Sequence, residues 1–224
     1  MKEALKNIAS LKVFLLISWL FIAFGAFFLL THDKSLIHLA INHYHSAILD
    51  LFFKFFTHVG DGITTSIAVL PITVWLYKKH GLSTLLLGAL TLIFAGILAQ
   101  VLKTIVYPDA LRPIAFLHEV KLYLIPGVEV HSAHSFPSGH TTAAFAFFLF
   151  FTYTCFRKRW GWQVFCALCA VGVGYSRMYL SQHFLEDVLS GAILGQFAFL
   201  IALFLTRLLP NQKNIARKNL GQDF

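Results

Sequence analysis

Residues 81–102 read GLSTLLLGALTLIFAGILAQVL, an apolar run without a single charge. A helix that crosses the hydrocarbon core of a bilayer needs about 20 apolar residues, and this stretch supplies them unbroken. Five more stretches of the same kind surround it, at 13–30, 62–77, 141–156, 160–176 and 188–206. Each reaches spanning length once its flanks are counted. In lipid only a helix or a closed barrel satisfies every backbone group. These runs are continuous, not alternating as barrel strands are. The pattern predicts an all-α, polytopic membrane protein with six transmembrane helices.

Composition agrees. Hydrophobic residues make up 58% of the 224 and charged residues 12%, against roughly 45–50% and about 25% in soluble globular chains. There are 24 Phe, and mean hydropathy is +0.72. Disorder, coiled coil, collagen and a cytosolic dinucleotide-binding enzyme are excluded. The net charge of +8 comes from 18 Lys and Arg against 10 Asp and Glu. In a membrane protein that surplus marks cytoplasmic loops and not nucleic-acid binding. With the N-terminus inside, the cytoplasmic side receives Lys2, Lys6, Lys12, Lys78, Lys79, Arg157, Lys158, Arg159, Arg207, Lys213, Arg217 and Lys218. The other side receives only Lys34, Lys54, Lys103, Arg112, Lys121 and Arg177. The bias places both termini in the cytoplasm.

The first apolar run is longer than a signal-peptide core, and no small-x-small cleavage site follows it, so it is expected to stay as a span. Of the outer segments, 31–61 contains an interfacial-helix pattern at 50–56, and 103–137 holds four of the six prolines. Nothing marks a domain boundary, and one domain over 1–224 is expected, with a polar tail at 211–224. Cys155, Cys166 and Cys169 lie in or beside apolar runs and read as buried small hydrophobes, without disulfide or metal spacing.

The ends of the spans on the outer face carry residues that are expensive at a membrane surface. Polar and ionisable groups there indicate a functional site. Pro137-Ser138-Gly139-His140 leads directly into the fourth span. A helix start offers free N–H groups and the positive end of the dipole, which together bind anions. A plain turn with a Ser cap would look the same. Ser176-Arg177 precedes His183, and Asp187 follows four residues later, on the same helical face. A carboxylate beside an imidazole fixes its tautomer and stabilises the imidazolium, although an interfacial ion pair is the bland equivalent. Lys103 and Arg112-Pro113 add two cations, which alone read as snorkelling side chains. Together these segments form a phosphate cradle with two imidazoles. No metal-ligand cluster accompanies them. They imply phosphoryl transfer assisted by cations and helix dipoles.

In these three segments the chain resembles the type 2 phosphatidic acid phosphatase family, which shares its site with vanadium haloperoxidases and glucose-6-phosphatase. The family pattern is Lys-x6-Arg-Pro, Pro-Ser-Gly-His and Ser-Arg-x5-His-x3-Asp. Residues 137–140 and 176–187 match the second and third parts throughout, and the motif core runs from 103 to 187. The first part departs: Lys103 and Arg112 are separated by eight residues instead of six, and Lys103 reaches the phosphate only if the extra residues bulge around Pro108-Asp109-Ala110. The resemblance implies that His183 attacks phosphorus and forms a phosphohistidine, while Asp187 orients it. It implies that His140 protonates the leaving oxygen and then activates water. Lys103, Arg112, Ser138, Gly139 and Arg177 would hold the phosphate oxygens.

The expected activity is hydrolysis of a membrane lipid phosphate or diphosphate without metal or cofactor. Candidate substrates are undecaprenyl diphosphate, phosphatidylglycerol phosphate, phosphatidic acid and the lipid A phosphates. The site would face outward from a bacterial inner membrane. A lipid-to-lipid phosphotransferase would use the same residues. A transporter would place polar residues at mid-span, and a non-catalytic lipid binder would not need His140, His183 and Asp187. A haloperoxidase would be soluble. Elsewhere, His131 and His134 read as loop histidines or substrate contacts and not as metal ligands. His43, His45 and His58 read as interfacial, Asp61 as a helix cap, and the run 144–148 as lipid contact or packing.

Overall fold

The computed structural model describes residues 8–208. The predicted polar tail at 211–224, with Lys213, Arg217 and Lys218, and the N-terminal Lys2 and Lys6 lie outside the described residues. Within them the chain is all-helical, with nine α-helices: α1 (Lys12–Thr31), α2 (Lys34–His43), α3 (Ala47–Phe56), α4 (Gly62–His80), α5 (Leu82–Val101), α6 (Pro113–Phe116), α7 (Gly139–Phe151), α8 (Trp160–Tyr179) and α9 (Leu185–Leu208). Three helical stretches are long and apolar enough to cross a membrane: Lys12–Thr31, Leu82–Val106 and Leu185–Leu208. Helices α4 and α8 cover two of the other predicted apolar stretches, and α7 with the π turn Thr152–Phe156 covers the third. Large apolar side chains point outward from the bundle, among them Phe24, Phe27, Ile93, Ile97, Phe197 and Phe204. An outer surface of that kind belongs in lipid, and the chain is an integral membrane protein.

Helix α7 lies at the centre. Ala144 through Phe150 are all buried, so this helix is apolar on every face because every face meets protein. The Phe-rich run is therefore packing. Helices α5, α8 and α9 all pack against it, and α5 also packs against α9. The approach of α9 to α7 is close: a Cβ on Gly195 would collide with the Thr142 carbonyl and stand 2.9 Å from the Ala146 nitrogen. Cys166 is buried, Cys155 and Cys169 half-buried, and all three are free.

Hydrogen bonds mark the two ends of the bundle. At one end Gln163 of α8 accepts from Val13 and Phe14 of α1 and donates to the carbonyls of Ser10 and Arg157. At the other, Lys34 pairs with Glu186 at 2.7 Å, Asn42 donates to Ser181, and Arg177 donates to Thr57. That second end gathers the caps as well. Asp33, Ser46, Asp61 and Ser138 each accept a backbone N–H at the start of a helix. Helix α3 is amphipathic: Asp50 is buried, while Ile48, Leu51, Phe52 and Phe55 are exposed.

Candidate active site

Four chain segments converge at the capped end. The first begins where α5 gives way to a π turn over Leu102–Val106, closed by Tyr107 N–H to the Leu102 carbonyl at 2.8 Å. Such turns recur at functional sites. Lys103 sits in it, half-buried. The chain then turns at Tyr107–Ala110, and this turn with the π turn takes up the long spacing to Arg112. Lys103 ends within electrostatic reach of Arg112, Arg177 and Asp187.

Arg112 is buried and rigidly held. Its Nε donates to the Ala133 carbonyl at 2.9 Å, and its Nη1 donates to both the side-chain and backbone oxygens of Gln182, at 2.8 and 3.2 Å. Gln182 is itself fixed by donating to the Glu129 carbonyl at 2.7 Å. The second segment is the entry to α7. Ser138 caps it, accepting from the Thr141 N–H at 3.4 Å and the Thr141 hydroxyl at 2.8 Å. The first N–H groups of a helix have no partner inside it, and the space above Gly139 is open, since a Cβ there would meet no atom within 4 Å. His140 follows, half-buried.

The third segment ends α8 and turns back. Arg177 is buried, and its Nη1 donates to Thr57 Oγ1 at 2.9 Å. Its Nε, also buried, has no acceptor. The backbone N–H groups of Gln182 and His183 both return to the Arg177 carbonyl, which locks the turn between the cation and the imidazole. The fourth segment starts α9. His183 Nδ1 stands 3.4 Å from Asp187 Oδ2. The same oxygen accepts from Ser135 Oγ at 2.5 Å and from the Phe184 N–H at 2.9 Å, and Ser138 N–H donates to the Asp187 carbonyl at 2.9 Å. Both side chains are almost fully buried.

A carboxylate against Nδ1 selects the tautomer with the proton there and leaves the Nε2 lone pair free. Burial first, and then the charges of Arg112, Arg177 and Lys103, push the pKa of His183 well below the ordinary histidine range. Its imidazole is neutral at physiological pH, which is the form that can attack. The site thus combines a neutral, buried, oriented imidazole with three cations and one guanidinium N–H that lacks an acceptor.

All eight sequence-predicted site residues lie in these four segments. Sequence reasoning missed Ser135, Gln182 and Thr57. Ser135 bridges Asp187 and His183, reaching His183 Nδ1 at 3.5 Å, and no spacing rule announces it. Gln182 carried one signal, its place directly before His183. Asp61, read as a cap, does cap α4, but its other oxygen also lies 3.8 Å from His140 Nε2. The side chain of His45, read as interfacial, is buried with its Nδ1 2.8 Å from Asp50 Oδ1. His131 and His134 are loop residues. Among the described residues no three His, Cys, Asp or Glu gather as metal ligands do.

The sequence pattern of the PAP2 superfamily matches residues 84–213, more than half of the chain and every segment just described. The chain belongs to that superfamily. A lipid A 4'-phosphatase of Bacteroides thetaiotaomicron is 30% identical over 196 residues, 82% of this chain and 83% of the relative. A lipid A 1-phosphatase of Rhizobium johnstonii is 34% identical over 119 residues, 52% of this chain and 46% of the relative. The chain spans about half the length of the lipid A 1-phosphatases it matches. The crystal structure of a transmembrane PAP2 type phosphatidylglycerolphosphate phosphatase from Bacillus subtilis superposes with a TM-score of 0.65 at 23% identity, covering 92% of this chain and 98% of that one. That likeness is one of fold.

Proposed function

We propose that this chain is a membrane phosphatase that hydrolyses a lipid phosphate or diphosphate through a phosphohistidine, without a metal ion. The observation that carries the reading is the surplus of positive charge around a buried His–Asp pair. Lys103, Arg112 and Arg177 all act on His183, and Arg177 Nε has no acceptor. Three cations and two imidazoles against the carboxylates of Asp187 and Asp61 leave a positive surplus, which is unfavourable away from water unless an anion completes the site. A phosphoryl group has the charge and the oxygens to do so.

In this reading the N–H groups at the start of α7 and the three cations hold the phosphoryl oxygens. His183 Nε2 attacks phosphorus, with Asp187 and Ser135 fixing the ring from Nδ1. His140 gives a proton to the leaving oxygen and later takes one from the attacking water. The names of the relatives support a lipid substrate. The wider reading includes six spans, both termini in the cytoplasm, one domain over 1–224 and a site on the outer face of a bacterial inner membrane. The Lys and Arg distribution supports the orientation.

The test is phosphate release by the detergent-solubilised protein, in EDTA, from a panel of lipid A, undecaprenyl diphosphate, phosphatidylglycerol phosphate and phosphatidic acid. Release that is lost in His183→Ala is expected. Release only when an acceptor lipid is present would replace hydrolysis by phosphotransfer. A folded protein that neither releases nor transfers phosphate would overturn the reading.

A further inference from the structure

The short segment Thr57–Gly60 and the Asp61 that follows it belong to none of the three motifs, yet they touch both sides of the site. Thr57 holds Arg177. Gly60 lies so close to α7 and α8 that a Cβ there would collide with Val173 and stand 2.7 Å from the His140 carbonyl. Asp61 then divides its two oxygens. Oδ2 accepts from the Thr64 N–H at 3.0 Å and the Thr64 hydroxyl at 2.9 Å, and Oδ1 stands 3.8 Å from His140 Nε2. That separation is too long for a hydrogen bond and within reach of an ion pair.

The titratable groups facing His140 are Arg177 from α8, Lys103 from the π turn, His183 from the turn before α9, and Asp61. Two of these are fixed cations, and Asp61 is the carboxylate among them. His58 in turn faces Asp61. A general acid must carry its proton when the leaving oxygen departs, and nearby like charge disfavours the imidazolium. A cradle built to hold phosphate therefore works against its own acid unless an anion stands beside it.

We infer that Asp61 is the counter-ion of the His140 imidazolium, a positioning residue that lets the acid work inside a cationic site. The inference rests on the proposed phosphatase reading. In the first step the His183 Nε2 lone pair forms the N–P bond. The P–O bond to the leaving group breaks with its electron pair on oxygen, and the His140 proton moves to that oxygen. In the second, water attacks phosphorus and gives a proton to His140. The N–P pair returns to His183, phosphate leaves, and the imidazolium beside Asp61 is restored.

The experiment compares dodecyl phosphate, whose alkoxide needs a proton, with p-nitrophenyl phosphate, whose phenolate leaves with little help. Asp61→Asn keeps an N-cap oxygen and removes the charge; Asp61→Glu restores the charge; His140→Ala is the reference. Folding of each is checked by size exclusion and circular dichroism. Asp61→Asn is expected to slow dodecyl phosphate turnover by about 10–100-fold, with a much smaller loss in the p-nitrophenol burst. The alkaline limb of the pH profile should move down by about one unit, with partial recovery in Asp61→Glu. Equal losses on both substrates, or no shift of the alkaline limb, would overturn the inference. If His140→Ala itself fails to discriminate between the two leaving groups, the acid role of His140 falls and takes the inference with it.

Discussion

Two carboxylate–imidazole pairs are buried at the same end of this molecule, and they have opposite surroundings. Asp187 and His183 stand among three cations, with a guanidinium donor unmatched. Asp50 and His45 stand among neutral partners, and His45 Nε2 is likewise buried without a hydrogen-bond partner, so the two pairs differ in the charge around them. Asp50 accepts from Tyr179 at 2.6 Å, from Tyr123 at 2.9 Å and from His45 at 2.8 Å. The His45 ring lies between those of Tyr123 and Tyr179, with centroids 4.3 and 4.2 Å away. Burial works to raise the pKa of Asp50, but the hydrogen bonds from Tyr179, His45 and Tyr123 outweigh it and leave the carboxyl below its usual value. One pair closes a joint between α3, α8 and the 117–137 loop. The other faces a surplus of positive charge. A buried His–Asp contact thus says little about function, and the charge around it says much.

Substitutions can separate the two. The largest effect should come from Arg177→Lys. Lysine keeps the charge but loses the planar fork, and the loss of one aimed donor at a developing charge costs about 10²–10³-fold in turnover. Steady-state kinetics on any accepted lipid phosphate would measure it, and turnover within a few-fold of wild type would remove Arg177 from the cradle. Asp50→Ala should act on stability. It leaves Tyr179, Tyr123 and His45 without their acceptor at a cost of about 1–3 kcal/mol, while turnover per folded molecule is retained. Thermal denaturation in detergent with activity measured in parallel would show it, and lost turnover with unchanged stability would contradict the structural role.

The smallest effect concerns pH. His38 on α2 lies under Ser181, with its Nε2 3.3 Å from the Ser181 hydroxyl, and burial lowers its pKa to about 4 against a weaker opposing pull from Asp187. His183 shifts in the same direction. The unfolded chain takes up these protons near the ordinary histidine value of about 6.5, whereas the folded chain resists. Stability should therefore decline as pH falls from about 6.5 toward 4, by a few degrees in Tm. His38→Gln should flatten part of that slope. A Tm that rises on acidification would refute the assignment.

Much of this was legible in the chain. The apolar runs marked every long helix, because lipid demands long uninterrupted apolar segments. Residues 137–140 and 176–187 carried the candidate site, because a helix start and an i, i+4 pair are local geometries that spacing alone defines. The rest was not legible. Ser135 and Gln182 act through neighbours 48 to 70 positions away, and their partners are backbone carbonyls, or side chains that could as well have been solvated. Asp61 read correctly as a cap, and the cap hid its second contact.

The sequence by itself therefore determined which segments form long apolar helices, that Asp61 and Ser138 stand at helix starts, and which side chains the candidate site can draw on. All of these follow from composition and from spacings within one turn of helix. Only the tertiary structure decided that three cations gather around Asp187 and His183, that burial and those charges lower the pKa of His183, that His45 is boxed by tyrosines, and that Asp61 faces His140. Those outcomes depend on burial and on charge summed over four separate segments. Electrostatic energy is set by distance in space and by the loss of water, and neither is written in the order of residues along the chain.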